Sequence, residues 1–221
     1  MNPRPRLIAA IFSPSDEQAM ARVQTRNDHQ AFADLVQRWE QPILRLCAKM
    51  TGDLSRAEDL KQEAFARVFA KRREFETGMR FSTWLWRIAL NLCYDELRKL
   101  HRRGESSLEG ASDEAGIAVT NLMIEGAAPD SMAVTAEENE LVRRALLRVP
   151  ETLRSVLVLR FCEELKLREV GEILALPEST VRYRLAEGLT QLTRLLEPTF
   201  GRPVGCSNAT PSRFPAISEL K

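Results

Sequence analysis

Apolar residues in this chain fall three and four apart, and rarely two apart. Phe32, Leu35, Val36, Trp39, Ile43, Leu46, Cys47 and Met50 form one such series, and that spacing lines up side chains along a single face of an amphipathic helix. No segment shows the period-2 alternation bounded by turn residues that marks a half-buried strand. The chain is therefore expected to be all-α.

The breaks between series divide it further. Residues 1–27 form an N-terminal arm, polar and proline-punctuated over residues 1–24 and expected to be loose. A first helix starts at Phe32 and is kinked or restarted at Pro42, which removes one backbone bond. After "TGD", the sequence Ser55 to Glu58 reads as a capping box opening a helix over roughly 56–73. Its apolar stripe is Ala57, Leu60, Ala64 and Val68, widened by Phe65 and Phe69, which leaves Asp59, Gln62, Glu63 and Arg67 on the other side. A third helix is expected from Ser82 to about Arg102.

Residues 104–136 lack sustained periodicity and read as a flexible linker. Helicity resumes at Glu137, with Leu141, Val142, Ala145, Leu146 and Val149 on one face. Pro150 suits the first turn of the next helix, which carries Leu153, Val156, Leu157 and Phe161. A helical hairpin follows, its last helix ending near Leu196. The fold expected is two helical domains, 28–103 and 137–197, joined by the linker. Residues 198–221 hold Pro198, Pro203, Pro211 and Pro215 and read as a disordered tail.

Charge is distributed unevenly. From Gly104 to Val142 there is no Lys or Arg but nine acids (Glu105, Glu109, Asp113, Glu114, Glu125, Asp130, Glu137, Glu138 and Glu140); removing them from a formal net charge of +1 leaves about +10 on the rest. A basic protein thus carries an acidic insert. The cysteines, 47, 93, 162 and 206, form no CxxC pair, and the histidines are His29 and His101 alone. No metal site or cofactor is expected from that spacing. Cys47, Cys93 and Cys162 fall in helical apolar patterns as small hydrophobes, leaving Cys206 as the exposed thiol.

The hairpin "EVGEILALPESTVRYRL", residues 169–185, has the small and branched residues that a helix-turn-helix needs. Gly171 permits the second helix to cross closely, Ala175 stands at the corner, and Val181 locks the second helix. Pro177 suits the first position of that helix. Glu178, Ser179, Thr180, Arg182, Tyr183 and Arg184 surround its first turns, where a recognition helix meets base edges and phosphates. Residues 143–197 hold ten Lys/Arg against eight acids, so this module alone should bind DNA weakly.

Two longer stretches carry a family resemblance. "AEDLKQEAFARVFAKRREFETGMRFSTWLWRIALNLCYDELRK" closely resembles region 2 of bacterial sigma factors, and "LLRVPETLRSVLVLRFCEELKLREVGEILALPESTVRYRLAEGL" resembles their region 4. With these two regions alone, joined by a linker, the chain is identified as similar to the extracytoplasmic-function (ECF) sigma factors. The resemblance implies that Asp59, Gln62, Glu63 and Arg67 meet the β′ clamp helices of core RNA polymerase, with the β subunit as a further contact. It implies that Phe75 to Trp86 form the element that melts and captures minus-10 DNA, with Arg80, Trp84, Arg87, Asn91, Asp95 and Arg98 as candidates for strand contact. Phe81, Trp84, Trp86 and Ile88 also suit the core.

Region 4 would read minus-35 DNA. Its departures from the family pattern are Ala175 and Ser179 in place of the usual glycines, Lys166 where a capping hydroxyl is common, and Ala186, Glu187 and Gly188 in a stretch often more basic. The partners implied are core polymerase, promoter DNA and an anti-sigma factor. The acidic linker is expected to mimic nucleic acid in the polymerase channel.

A cytoplasmic protein is expected, since no apolar run of membrane-spanning length and no signal peptide is present. Enzymatic function is not expected, because no P-loop, dinucleotide fingerprint, metal cluster or nucleophile motif appears. The competing reading is a helix-turn-helix regulator that binds DNA without joining polymerase. "DLKQEAF" and "FSTWLWRIALN" argue against it, and the recognition-helix arginines argue against a third reading, a pure interaction protein such as an adaptor.

Overall fold

The computed structural model describes residues 15–76, 78–102, 104 and 132–200, with the side chains of 132–138 and 198–200 left aside. An N-terminal bundle consists of α1 (Asp16–Arg26), α2 (His29–Thr51), α3 (Leu54–Ala70), a 3₁₀ turn (Arg72–Glu74) and α4 (Phe81–Arg102). The C-terminal bundle consists of α5 (Met132–Arg148), α6 (Glu151–Leu157), a π turn (Val158–Cys162), α7 (Leu167–Leu174) and α8 (Glu178–Phe200). Among the described residues there is no strand, and no helix is long and apolar enough to cross a membrane. The fold is all-α, as the periodicity predicts.

Several boundaries differ from the sequence expectation. The arm expected to be loose contains α1, opened by a full capping box in which Ser15 accepts from the Gln18 amide and Gln18 accepts from the Ser15 amide. Ala19, Met20 and Val23 bury one face of it against the bundle. α2 runs unbroken through Pro42, since the loss of one backbone bond is small against a helix packed along its length. The capping box expected at Ser55 is not used: α3 starts two residues earlier, at Leu54, and the Asp53 carboxylate accepts from the Arg56 amide at 3.0 Å.

In the C-terminal half, α5 begins at Met132, inside the segment expected to be linker. Pro150 precedes α6 instead of opening it, and its carbonyl accepts from the Leu153 and Arg154 amides. The π turn then rotates the face: Val158 and Leu159 are buried, while Phe161, expected inside, is 40% exposed. α8 continues to Phe200, past Pro198. A proline in the last turn forfeits one bond that fraying would weaken anyway. The remaining linker acids 105–130 and Cys206 in the tail lie outside the described residues. Glu140 is tied into α5, where its carboxylate accepts from Arg143 at 2.6 Å and Arg144 at 2.7 Å.

Leu35, Ile43, Leu46, Met50, Val68, Phe81, Leu85 and Leu90 are fully buried in the N-terminal bundle. Cys47 and Cys93 lie side by side there as free thiols, sulfurs 3.7 Å apart, and the contact with Cys47 together with burial pushes the Cys93 thiol well above its usual range. Val156, Leu157, Leu159, Val170, Ile173, Val181 and Leu185 fill the C-terminal bundle. Gly188 lets α8 approach α6, since a Cβ there would lie 3.2 Å from the Leu157 side chain.

The two bundles share one continuous core. Gly52, in the left-handed conformation that ends α2, fits beneath Leu147 of α5, where a Cβ would stand 2.5 Å from Cδ1. Arg143, 3% exposed, donates to the Gly52 carbonyl at 3.3 Å. Tyr94 Oη on α4 meets Ser155 Oγ on α6 at 2.8 Å.

Candidate nucleic-acid interface

Three surfaces come from three local designs. On α3, Leu60, Ala64 and Val68 are buried, which turns Asp59, Gln62, Glu63 and Arg67 outward, all of them exposed. Arg67 Nε donates to Glu63 Oε1 at 2.7 Å. A cleft of about 480 Å³ lies between this face and α4, lined by Asp59, Glu63 and Arg67 on one side and Asp95, Arg98 and Arg102 on the other. The sequence assigned Asp95 and Arg98 to minus-10 DNA, but the structure brings them together with three of the α3 residues. Gln62 does not line the cleft. Asp95 accepts from Arg98 at 3.0 Å.

The second surface is the loop before α4. Phe75 is buried and packs on Trp84 with ring centres 5.3 Å apart, while Phe81 stands edge-on to Trp84 at 6.5 Å. Trp84 is half-buried, and Trp86 is inside, edge-on to Trp39 at 5.8 Å. Sequence reasoning missed what holds this loop. Gln24 of α1 donates to the carbonyls of Arg73 at 3.2 Å and Phe75 at 3.0 Å, and Glu17 accepts from the Phe81 amide at 3.2 Å. The Ser15–Gln18 capping signal could have revealed α1, but nothing local in the sequence shows where Gln24 points.

Asn91 is exposed on α4. Arg80 and Arg87 instead face the C-terminal bundle. Arg80 pairs with Glu169 of α7 at 2.9 Å, and Arg87 donates to the carbonyls of Glu172 at 2.6 Å and Ile173 at 3.3 Å, in the last turn of that helix.

The helix-turn-helix formed by α7 and α8 is the third surface. At Gly171 a Cβ would lie 2.8 Å from the Leu176 carbonyl oxygen, so only glycine permits the crossing. Ala175 takes the left-handed corner at φ 54°, and Val181 is fully buried. Pro177 sits just before α8, its carbonyl accepting from the Thr180 and Val181 amides, so the expectation that it occupies the first helical position is off by one. In place of a hydroxyl cap, the Glu169 carboxylate accepts from the Lys166 amide at 2.9 Å.

Glu178, Ser179, Arg182 and Tyr183 are exposed, and Tyr183 reaches 70%. Arg182 Nη2 is 2.5 Å from Glu178 Oε1. Thr180 and Arg184 are half-buried. Burial pushes the Tyr94 phenol up, and the Ser155 bond and the positive charge of Arg184 partly offset this. Among the described residues no cluster of His, Cys, Asp and Glu could hold a metal ion.

Comparison with known proteins gives this arrangement a context. The sigma-70 region 2 family model matches residues 27–103, and the sigma-70 region 4 model matches residues 139–192. The ECF RNA polymerase sigma factor SigW of Bacillus subtilis is 36% identical over 171 residues, covering 77% of this chain and 91% of the relative. The RNA polymerase sigma-H factor of Pseudomonas aeruginosa is 30% identical over 188 residues, covering 85% and 97%. Among solved structures, CnrH in complex with the cytosolic domain of CnrY superposes with a TM-score of 0.60 at 22% identity, covering 84% of this chain and 99% of that one. The sigma factor RpoE of Bartonella quintana, solved with the anti-sigma factor NepR, gives 0.54 at 23%, covering 74% and 97%.

Proposed function

The chain belongs to the ECF sigma factors of the sigma-70 family, and from that premise we propose which of its surfaces does which part of the work. It is an RNA polymerase sigma factor that binds core polymerase and directs promoter-specific initiation. The observation that carries this is the order of two separate signatures, region 2 then region 4, in a chain that covers 91% of a 36%-identical relative of that function. A helix-turn-helix regulator independent of polymerase would have no use for the α3 face.

Asp59, Gln62, Glu63 and Arg67 meet the β′ clamp helices. Their exposure and the cleft beside them, which Asp95 and Arg98 also line, support this. Arg80, Trp84, Arg87 and Asn91 take the melted minus-10 strand. The half-buried Trp84 at the rim of an aromatic cluster suits stacking against an unpaired base. Glu178, Ser179, Thr180, Arg182, Tyr183 and Arg184 read minus-35 DNA from the first turns of α8. The domains proposed are region 2 over 28–103 and region 4 over 137–197, with α1 packed on the first bundle and α5 beginning ahead of the second at Met132.

The protein performs no covalent chemistry; polymerase supplies the catalysis, and the factor acts in the cytoplasm beside it. An anti-sigma factor is a further partner that family membership implies. Replacing Asp59 and Gln62 with Ala tests the α3 assignment by titration against labelled core polymerase. Weaker core binding with an unchanged thermal midpoint supports the interface, and normal affinity rejects it.

A further inference from the structure

Two thiols in the core of the N-terminal bundle have no part in the surfaces described above. Cys47 of α2 and Cys93 of α4 are 46 positions apart in the chain, yet their sulfurs meet at 3.7 Å, with Cys93 as donor toward Cys47. Both are free thiols and fully buried, and Leu46, Ala48 and Leu92 beside them in the chain are buried as well. A cysteine that only fills space packs as a small hydrophobe against any apolar neighbour. Two that meet sulfur to sulfur across a pair of helices are also set for a reaction that space-filling does not use.

A disulfide holds its sulfurs at about 2.05 Å. From 3.7 Å that is a further approach of roughly 1.7 Å, of the order that rotation about the two Cα–Cβ bonds supplies.

We propose that Cys47 and Cys93 are an oxidisable dithiol, a modification site inside the N-terminal bundle whose substrate is a small hydroperoxide and whose product is a disulfide stapling α2 to α4. The Cys47 sulfur attacks the peroxide, the O–O bond breaks, and the Cys47 proton leaves with the departing oxygen as an alcohol, or as water from hydrogen peroxide. Cys47 is left as a sulfenic acid. The Cys93 sulfur then attacks the Cys47 sulfur, the S–O bond breaks as the S–S bond forms, and the hydroxyl carries the Cys93 proton away as water. Together the two thiols lose two electrons and two protons, and one hydroperoxide accepts them all.

The contact with Cys47 and burial, which hold the Cys93 thiol well above its usual range, keep thiolate scarce and oxidation slow. The site therefore ignores brief exposure to peroxide and responds to a sustained one. Between the two cysteines lie all of α3 and the segment that leads into α4. The bond closes that whole stretch into a ring, which restricts the unfolded chain and leaves the exposed side chains of α3 where they are. None of this depends on the sigma reading.

The test uses the full chain, fully reduced, then given prolonged exposure to excess hydrogen peroxide, alkylated with iodoacetamide in urea and digested with trypsin. Cys47 falls in the fragment Leu46–Lys49 and Cys93 in Ile88–Arg98. The expected product is these two fragments joined, taken from the monomer band of a non-reducing gel and separated again by dithiothreitol. Recovery of both cysteines as alkylated thiols overturns the proposal, and so does finding them as sulfinic or sulfonic acids or joined to Cys162 or Cys206. Mapping of the wild type decides this without any variant.

The thermal midpoint supplies the second arm. Oxidised protein should melt about 10 °C above the reduced form, with dithiothreitol removing the shift and Cys93→Ala abolishing it. A joined pair whose midpoint is unchanged or lower overturns the staple.

Discussion

Arg154 of α6 donates through Nη1 to the carbonyl of Met50, in the final turn of α2, while its other nitrogens hold the Leu147 and Val149 carbonyls at 2.5 and 2.9 Å. A single side chain, 7% exposed, therefore ties together the end of α2, the end of α5 and the start of α6. Burial pulls its guanidinium pKa down to about 10, so it remains charged at neutral pH. Arg154→Met keeps the apolar stem and strips these carbonyls of a charged donor. The loss should be about 3 kcal/mol of unfolding free energy by urea denaturation, because buried acceptors left without partners bear their full desolvation cost. An unchanged midpoint would show that water satisfies the carbonyls equally well.

Gln24→Ala removes the two bonds that fix the Arg73 and Phe75 carbonyls. The loop proposed to capture the minus-10 strand then samples more conformations, and promoter opening should slow about fivefold, followed by 2-aminopurine fluorescence in the minus-10 element. Core affinity and thermal midpoint should hold steady, since Gln24 is half-buried at the edge of the bundle. A parallel loss of core affinity would make Gln24 a general stabiliser of region 2.

Glu140 gives a pH signature. Its bond to Arg143 is the main influence holding the carboxyl below its usual 4.5, with Arg144 adding to it and burial opposing. A depressed folded-state pKa means the stabilisation is complete above the unfolded value and fades as pH falls through the folded one. The difference in urea midpoint between wild type and Glu140→Gln should be constant near neutrality and shrink below about pH 4.5. A difference that stays level through that acid range would remove the carboxylate from the account.

Much of this was readable from residues alone, for physical reasons. The α3 stripe of Leu60, Ala64 and Val68 fixed which side Asp59 and Glu63 face, because helical period decides direction without any tertiary contact. Gly171 and Ala175 announced a tight corner because backbone geometry limits which residues fit there. Phe161 was misplaced because a π turn adds a residue to the helical repeat, and periodicity cannot see that. The bond from Arg87 to Glu172 was out of reach for a different reason: it joins residues 85 positions apart, and no local pattern encodes where two bundles meet.

Run-off transcription on a library of genomic promoter fragments, with purified core polymerase and this protein as the only added factor, tests the central claim most directly. The account predicts discrete transcripts that require the protein, and their loss from Arg182→Ala with Arg184→Ala on templates that depend on the minus-35 element. Core polymerase giving the same products with and without the protein on every template would contradict it.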